Sequence, residues 1–92
     1  MQIKDKTLTN ILKGIENVKG ENISIIDFSN IENTICKYFV ICDCQSNTQV
    51  NAISSSIKRT VSKSLKEKPF STEGLENKNW VLIDYIDVVV HI

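Results

Sequence analysis

The residues in this chain that could do chemistry gather at its C-terminal end. Asp84 and Asp87 stand in a D-x-x-D arrangement at the end of an apolar run. Paired carboxylates at a strand end are the donors that hold Mg²⁺ for phosphoryl transfer. Their usual company is missing from the sequence. There is no Gly-rich phosphate loop, no G-x-x-x-x-G-K-[ST] and no third carboxylate at strand spacing. Aspartates are also common in turns, where the carboxylate satisfies local backbone donors, and that reading covers both residues.

Cys36, Cys42, Cys44 and His91 supply enough ligands for zinc by number. Cys42 and Cys44, two apart on a strand, would point to one face, but C-x-C lacks the C-x₂₋₄-C spacing of a zinc knuckle. Cys42 reads better as a small buried apolar residue. Nothing in the sequence activates a thiol or supplies a resolving partner. His91 lies in an apolar strand without a paired Ser or Cys, so a hydrolytic triad has no basis and a structural or partner-contact role remains. No catalytic, cofactor-binding or metal residue is assigned, and the expectation is a protein that is not an enzyme.

The elements that must position these side chains follow from hydrophobic spacing. Leu8, Ile11, Leu12, Ile15 and Val18 form the stripe of an amphipathic helix, with Asp5 or Thr7 to cap it and Gly20 where a C-terminal glycine belongs. Gly14 should weaken its middle by up to about 1 kcal/mol relative to Ala. Residues 23–28 read as a first strand, and Ile31 in the following loop is expected to tuck back onto the core. The unbroken apolar run 38–42 (Tyr-Phe-Val-Ile-Cys) predicts a strand buried on both faces. Val50, Ile53, Ile57, Val61 and Leu65 predict a long helix whose other side carries Ser55, Lys58, Arg59, Ser62, Lys63 and Lys66, and Pro69 blocks its continuation.

Residues 70–73 then predict a short strand and 74–78 a turn. The block 79–92 supplies two final strands, with Asp84 and Asp87 at the turn between them. Alternation puts Trp80, Leu82 and Asp84 on one face against Val81 and Ile83, and Val89 with His91 opposite Val88, Val90 and Ile92. Trp80 is either core or, if partly exposed beside acidic residues, a binding anchor. The order α-β-β-α-β-β-β describes an α/β (α+β) domain, a mixed five-stranded sheet with helices packed on it. Residues 38–73 offer a crossover between parallel strands.

Ninety-two residues suffice for one domain and one core. Eleven basic and eleven acidic residues cancel, which argues against nucleic-acid binding driven by net charge. The charge is nonetheless uneven. Residues 57–69 carry five basic residues against Glu67, whereas 70–92 carry four acidic residues against Lys78. Such polarity suits a protein partner with complementary patches. The basic helix face lacks the interleaved aromatics of a nucleic-acid platform. The polar start of the chain, the odd number of cysteines and the absence of an ~18-residue apolar run lead to the expectation of a soluble, cytoplasmic protein.

Several runs taken together resemble the ribosomal silencing factor (Iojap-related) family. They are the aromatic-led strand 38–42, the helix entry Ser46-Asn-Thr-Gln-Val50, Glu73-Gly74, and Trp80-Val-Leu-Ile-Asp84 leading to Asp87-Val-Val-Val-His-Ile92. The resemblance covers roughly residues 8–92. It implies a nucleotidyltransferase-like topology without that chemistry. It also implies a translation repressor that binds the large ribosomal subunit through ribosomal protein fourteen and blocks subunit joining when nutrients are scarce. No cofactor is implied, nor a membrane or sequence-specific nucleic-acid partner; a homodimer is a further expectation.

Carried over by position, Trp80, Glu73 and Asp84 are the first candidates for the partner surface, followed by Tyr38 and His91. The departures are Thr48 for an Arg, Lys37 for an Asp, Cys44 for a Gly, and Ile86 for the Gly of the last turn, where positive φ would strain a β-branched residue. The family's helical tail beyond the histidine has no counterpart in these 92 residues, so a single domain over 1–92 is expected without it. The alternatives are a metal-dependent nucleotidyltransferase-like enzyme using Asp84 and Asp87, and an interaction module with another partner.

Overall fold

Asp5 starts the first helix: its Oδ1 accepts the Leu8 N–H at 3.0 Å, capping α1 (Lys6–Asn17). The computed structural model describes residues 5–32, 36–44, 46–74 and 80–92. The stripe Leu8, Ile11 and Ile15 is wholly buried. At the other end Lys19 donates to Glu16 O and Gly20 to Ile15 O, both at 2.9 Å. This paired closure places its left-handed residue at Lys19 (φ 58), not at the expected Gly20.

β1 (Glu21–Asp27) pairs antiparallel with β2 (Tyr38–Asp43), with a register shift at Asn22, whose φ is 54. Ile31 is 58% exposed and does not fold back onto the core. Ser46 Oγ accepts the Gln49 N–H at 3.2 Å and opens α2 (Asn47–Leu65). That helix ends before Pro69 is reached, because Lys66 turns left-handed (φ 54). β3 (Ser71–Glu73), β4 (Leu82–Asp84) and β5 (Val88–His91) complete the chain. Residues 75–78 of the expected turn lie outside the described residues, and Phe70 precedes β3 instead of opening it.

The sheet order is β1-β2-β5-β4-β3. Only β2 and β5 run parallel, and β5 is the central strand. The parallel partner of β2 is therefore β5, and the crossover expected to end at residue 73 passes through the β3–β4 pair first. β3 goes to the far edge and pairs antiparallel with β4. The reason is hydrophobicity: Val88 and Val90 are wholly buried, whereas β3, Ser-Thr-Glu, has little apolar surface to bury.

The core lies between the two helices and one sheet face. Val40 and Cys42 of β2, Val81 and Ile83, and Val88, Val90 and Ile92 meet α1 and Val50, Ile53, Ile57 and Val61 of α2. α1 and α2 pack on each other at a close crossing. A Cβ on Gly14 would stand 2.7 Å from the Ile57 Cα, and Ser56 Oγ donates to Gly14 O at 2.6 Å. Among the described residues no helix is long and apolar enough to cross a membrane.

Candidate functional site

Among the described residues helices cover only one sheet face, which sets up the site, although Val89 on the other face is still buried at 7% exposure. β2 is not buried on both sides: Val40 and Cys42 are covered by helices, whereas Phe39 and Ile41 are only half-buried. Cross-strand pairing extends this bare face in two rows. One runs Glu73, Leu82, His91, Ile41, Ser24; the next runs Ser71, Asp84, Val89, Phe39, Ile26. Ile26 at 42% exposure lies at one end of this apolar band.

Aromatic rings build its centre. His91 meets Phe39 edge to face at 6.5 Å and 72°, and Trp80 at 6.4 Å and 77°. Such contacts contribute about 0.5–1.5 kcal/mol each beyond burial. Trp80 is 39% exposed, which decides between core and anchor in favour of a ring that is half seated and half presented. Gly74, at φ +88, makes the seat: a Cβ there would collide with the Trp80 carbonyl oxygen and lie 2.6 Å from its ring. Beside Trp80 and His91 a cavity of about 270 Å³ is lined also by Ile41, Asp43 and Cys44.

The structure brings Trp80, His91, Asp84 and Glu73 onto this one face. It does not bring Tyr38 there. Tyr38 shares the parity of Val40 and packs against the helix-side core. Phe39, Ile41, Leu82 and Gly74 complete the surface. Alternation had already put Leu82 on the face of Trp80; for Phe39 and Ile41 the signal was strand parity relative to Val40, hidden by the continuous apolar run 38–42.

The groups considered for chemistry are engaged otherwise. Asp84 Oδ1 accepts the Ile86 N–H at 2.7 Å, the local turn role expected of it. The Asp87 carbonyl accepts from Lys37 N–H at 2.8 Å and Tyr38 N–H at 3.0 Å, pinning the start of β2 to the β4–β5 turn. Its carboxylate stands 3.9 Å from Lys37 Nζ, both side chains being well exposed, so this pair adds little stability. Burial pushes the Cys42 thiol up to about 11, with help from Cys44 and Asp43. Burial also raises Cys36 and Cys44, so the neutral thiol prevails at all three. Among the described residues no group of three or more His, Cys, Asp or Glu side chains is arranged to hold a metal ion.

This architecture defines a two-layer α+β domain with one helix-covered sheet face and one aromatic face that no helix covers among the described residues. Residues 2–92 match the family described as "Ribosomal silencing factor during starvation", and the chain belongs to that family. A Ribosomal silencing factor RsfS from Halalkalibacterium halodurans is 33% identical over 81 residues, covering 88% of this chain and 68% of the relative. One from Bacillus subtilis is 36% identical over 75 residues, covering 80% of this chain and 61% of its own length. The solved structure of a Chromobacterium violaceum protein superposes with a TM-score of 0.85 at 28% identity, over 99% of this chain and 73% of that one. One from Bacillus halodurans gives 0.80 at 31% identity, over 91% and 76%. The expected fold class is thus confirmed.

Proposed function

We propose that this chain is a translation repressor of the cytoplasm that docks on the large ribosomal subunit through the bare sheet face and blocks subunit joining by occupancy. Family membership supports a role at the ribosome. The observation that carries the docking reading is the Trp80–His91–Phe39 cluster on an uncovered face beside Asp43, Glu73 and Asp84. Aromatic anchors in a polar rim are what protein interfaces use. An acidic border favours a basic partner, and the large-subunit ribosomal protein fourteen is the partner proposed. Nutrient limitation is the condition proposed for its action.

Steric occupancy needs no catalytic group, and the engagement of Asp84 in its own turn supports a non-enzymatic role. A homodimer formed through the same face would compete with docking. The test is co-sedimentation of the chain with isolated large subunits, followed by addition of small subunits. Binding together with loss of subunit joining is the expected result. No sedimentation with large subunits, at any ratio of chain to subunit, overturns the proposal.

A further inference from the structure

On the other layer of the molecule, the solvent side of α2 and the segment leading to β3 border a wide, shallow cleft of about 630 Å³. Lys58, Arg59 and Lys68 line it, with the hydroxyls of Ser55 and Ser62. None of these three cations makes an ion pair among the described residues, where the single salt bridge is Lys37–Asp87. Glu67 also lines the cleft; its Oε2 accepts from Thr7 Oγ1 at 3.2 Å, which ties the carboxylate to the start of α1. Three cations against one tethered carboxylate, with two hydroxyl donors, have the chemistry that phosphate oxygens accept from.

A second observation indicates what carries the phosphate. Pro69 lines the cleft, and the next residue, Phe70, is 74% exposed, more than any other large apolar side chain described. Its backbone is fixed, because the Phe70 N–H donates to Asp84 O at 2.7 Å. An exposed aromatic residue that follows directly on the cleft's Pro69, with unpaired cations lining that cleft, has the composition by which single-stranded nucleic acid is gripped, phosphates in the groove and a base on the ring. The aromatic missing from the face of α2 is supplied by the residue that follows the cleft. Free phosphate would use the cations and leave Phe70 without a role.

We propose that the α2 cleft and Phe70 bind single-stranded RNA independently of sequence, with backbone phosphates on Lys58, Arg59 and Lys68 and one base stacked on Phe70. The contact lies outside the bare sheet face and goes beyond the docking proposal; only the choice of RNA over DNA rests on that reading. Neutral net charge is no obstacle, since the binding charge is local.

The test is fluorescence anisotropy of the full chain with labelled twelve-nucleotide RNA and DNA of one mixed sequence, across a salt series. Three phosphate contacts give a slope of log K against log salt of about −2, and the double change Lys58→Gln/Arg59→Gln should reduce it to about −0.7. Phe70→Ala should weaken binding by about five- to a hundredfold. Glu67→Gln keeps an acceptor for Thr7 and should tighten binding. Lys13→Gln, on exposed α1 surface away from the cleft, should change nothing. Circular dichroism melts establish that each variant folds. RNA binding that is absent, insensitive to the cleft pair, unchanged by Phe70→Ala or fully displaced by millimolar inorganic phosphate overturns the proposal, as does clear preference for DNA. Co-sedimentation of the cleft variants with large subunits separates this failure from failure of the sheet-face reading.

Discussion

The indole of Trp80 and the imidazole of His91 meet edge to face, 6.4 Å between centroids and 77° between planes, on the sheet face that no helix covers among the described residues. One side of the indole rests where Gly74 has no side chain, and the ring remains 39% exposed. Trp80 is therefore positioned by packing but not consumed by it. Its remaining surface is available for a partner.

Trp80→Ala is expected to separate binding from folding. The half-exposed ring contributes less to the core than Val81 or Ile83, both wholly buried. An anchor at an interface centre contributes about 2 kcal/mol or more to affinity, roughly thirtyfold. Sedimentation with large subunits should fall by about that factor while the chain still melts cooperatively. Equal sedimentation by both proteins would remove Trp80 from the docking surface.

Gly74→Ala probes the same ring from beneath. The φ of +88 disfavours any L side chain, and the new methyl would meet the Trp80 carbonyl backbone, which cannot rotate away. We expect a loss of about 1–3 kcal/mol in stability. Trp80 is the sole tryptophan, so its emission should also report displacement of the indole. An unshifted spectrum and unchanged melting temperature would contradict the packing described.

Gly14→Ala reverses a rule of helix propensity. Alanine is the better helix former by about 1 kcal/mol. Here its Cβ would lie 2.7 Å from the Ile57 Cα, and the Ser56–Gly14 hydrogen bond of 2.6 Å would be prised open. The backbones must separate, at a cost of about 1–3 kcal/mol. Thermal melts should show Gly14→Ala below the parent by roughly 4–8 °C per kcal/mol. A rise in melting temperature would mean the helices do not cross here.

The turn between β4 and β5 offers a change in the opposite direction. Ile86 holds φ 75 while the Asp87 N–H donates to Tyr85 O at 3.0 Å, a γ-turn of the strained kind. The residue is 60% exposed and little packing depends on it. Ile86→Gly should stabilise the domain by about 1 kcal/mol, the relieved strain exceeding the added flexibility of the unfolded chain. Urea titration gives the sign. The turn keeps its positive φ in spite of the β-branched residue, because Asp84 and Asp87 hold it from both sides.

Element order, both helices and the parity of residues 80–92 were legible in the sequence, because amphipathic spacing and alternation record which side meets the core. Four features were not. The run 38–42 reads as doubly buried, since an apolar residue looks the same whether a helix or a partner covers it. The partnership of β2 with β5 is a long-range choice that no local pattern encodes. Gly14 reads as a weak helix residue until the second helix is seen against it. The grouping of Trp80, His91, Asp84 and Glu73 on one face required the register of β3, which alternation within each strand cannot supply.

Alkaline pH should weaken the fold through Tyr85. Its side chain is only 5% exposed, its hydroxyl has no hydrogen-bond partner among the described residues, and burial with the nearby Glu67 charge pushes it up to about 12. In the unfolded chain the phenol titrates near 10. Below pH ~10 both states hold the proton and the stability is fully present. Between pH ~10 and ~12 the unfolded chain ionises first, so stability falls by up to about 2–3 kcal/mol. Cys42, raised from 9.0 to about 11, starts the same decline nearer pH 9. Tyr85→Phe should flatten the loss between pH ~10 and ~12 while leaving the Cys42 part. Removing an unpartnered buried hydroxyl should also make the variant as stable as the parent at neutral pH, or more stable by about 1 kcal/mol. Urea midpoints from pH 7 to 11.5 measure both effects. A parallel decline in the two proteins would place the alkaline transition elsewhere than at Tyr85.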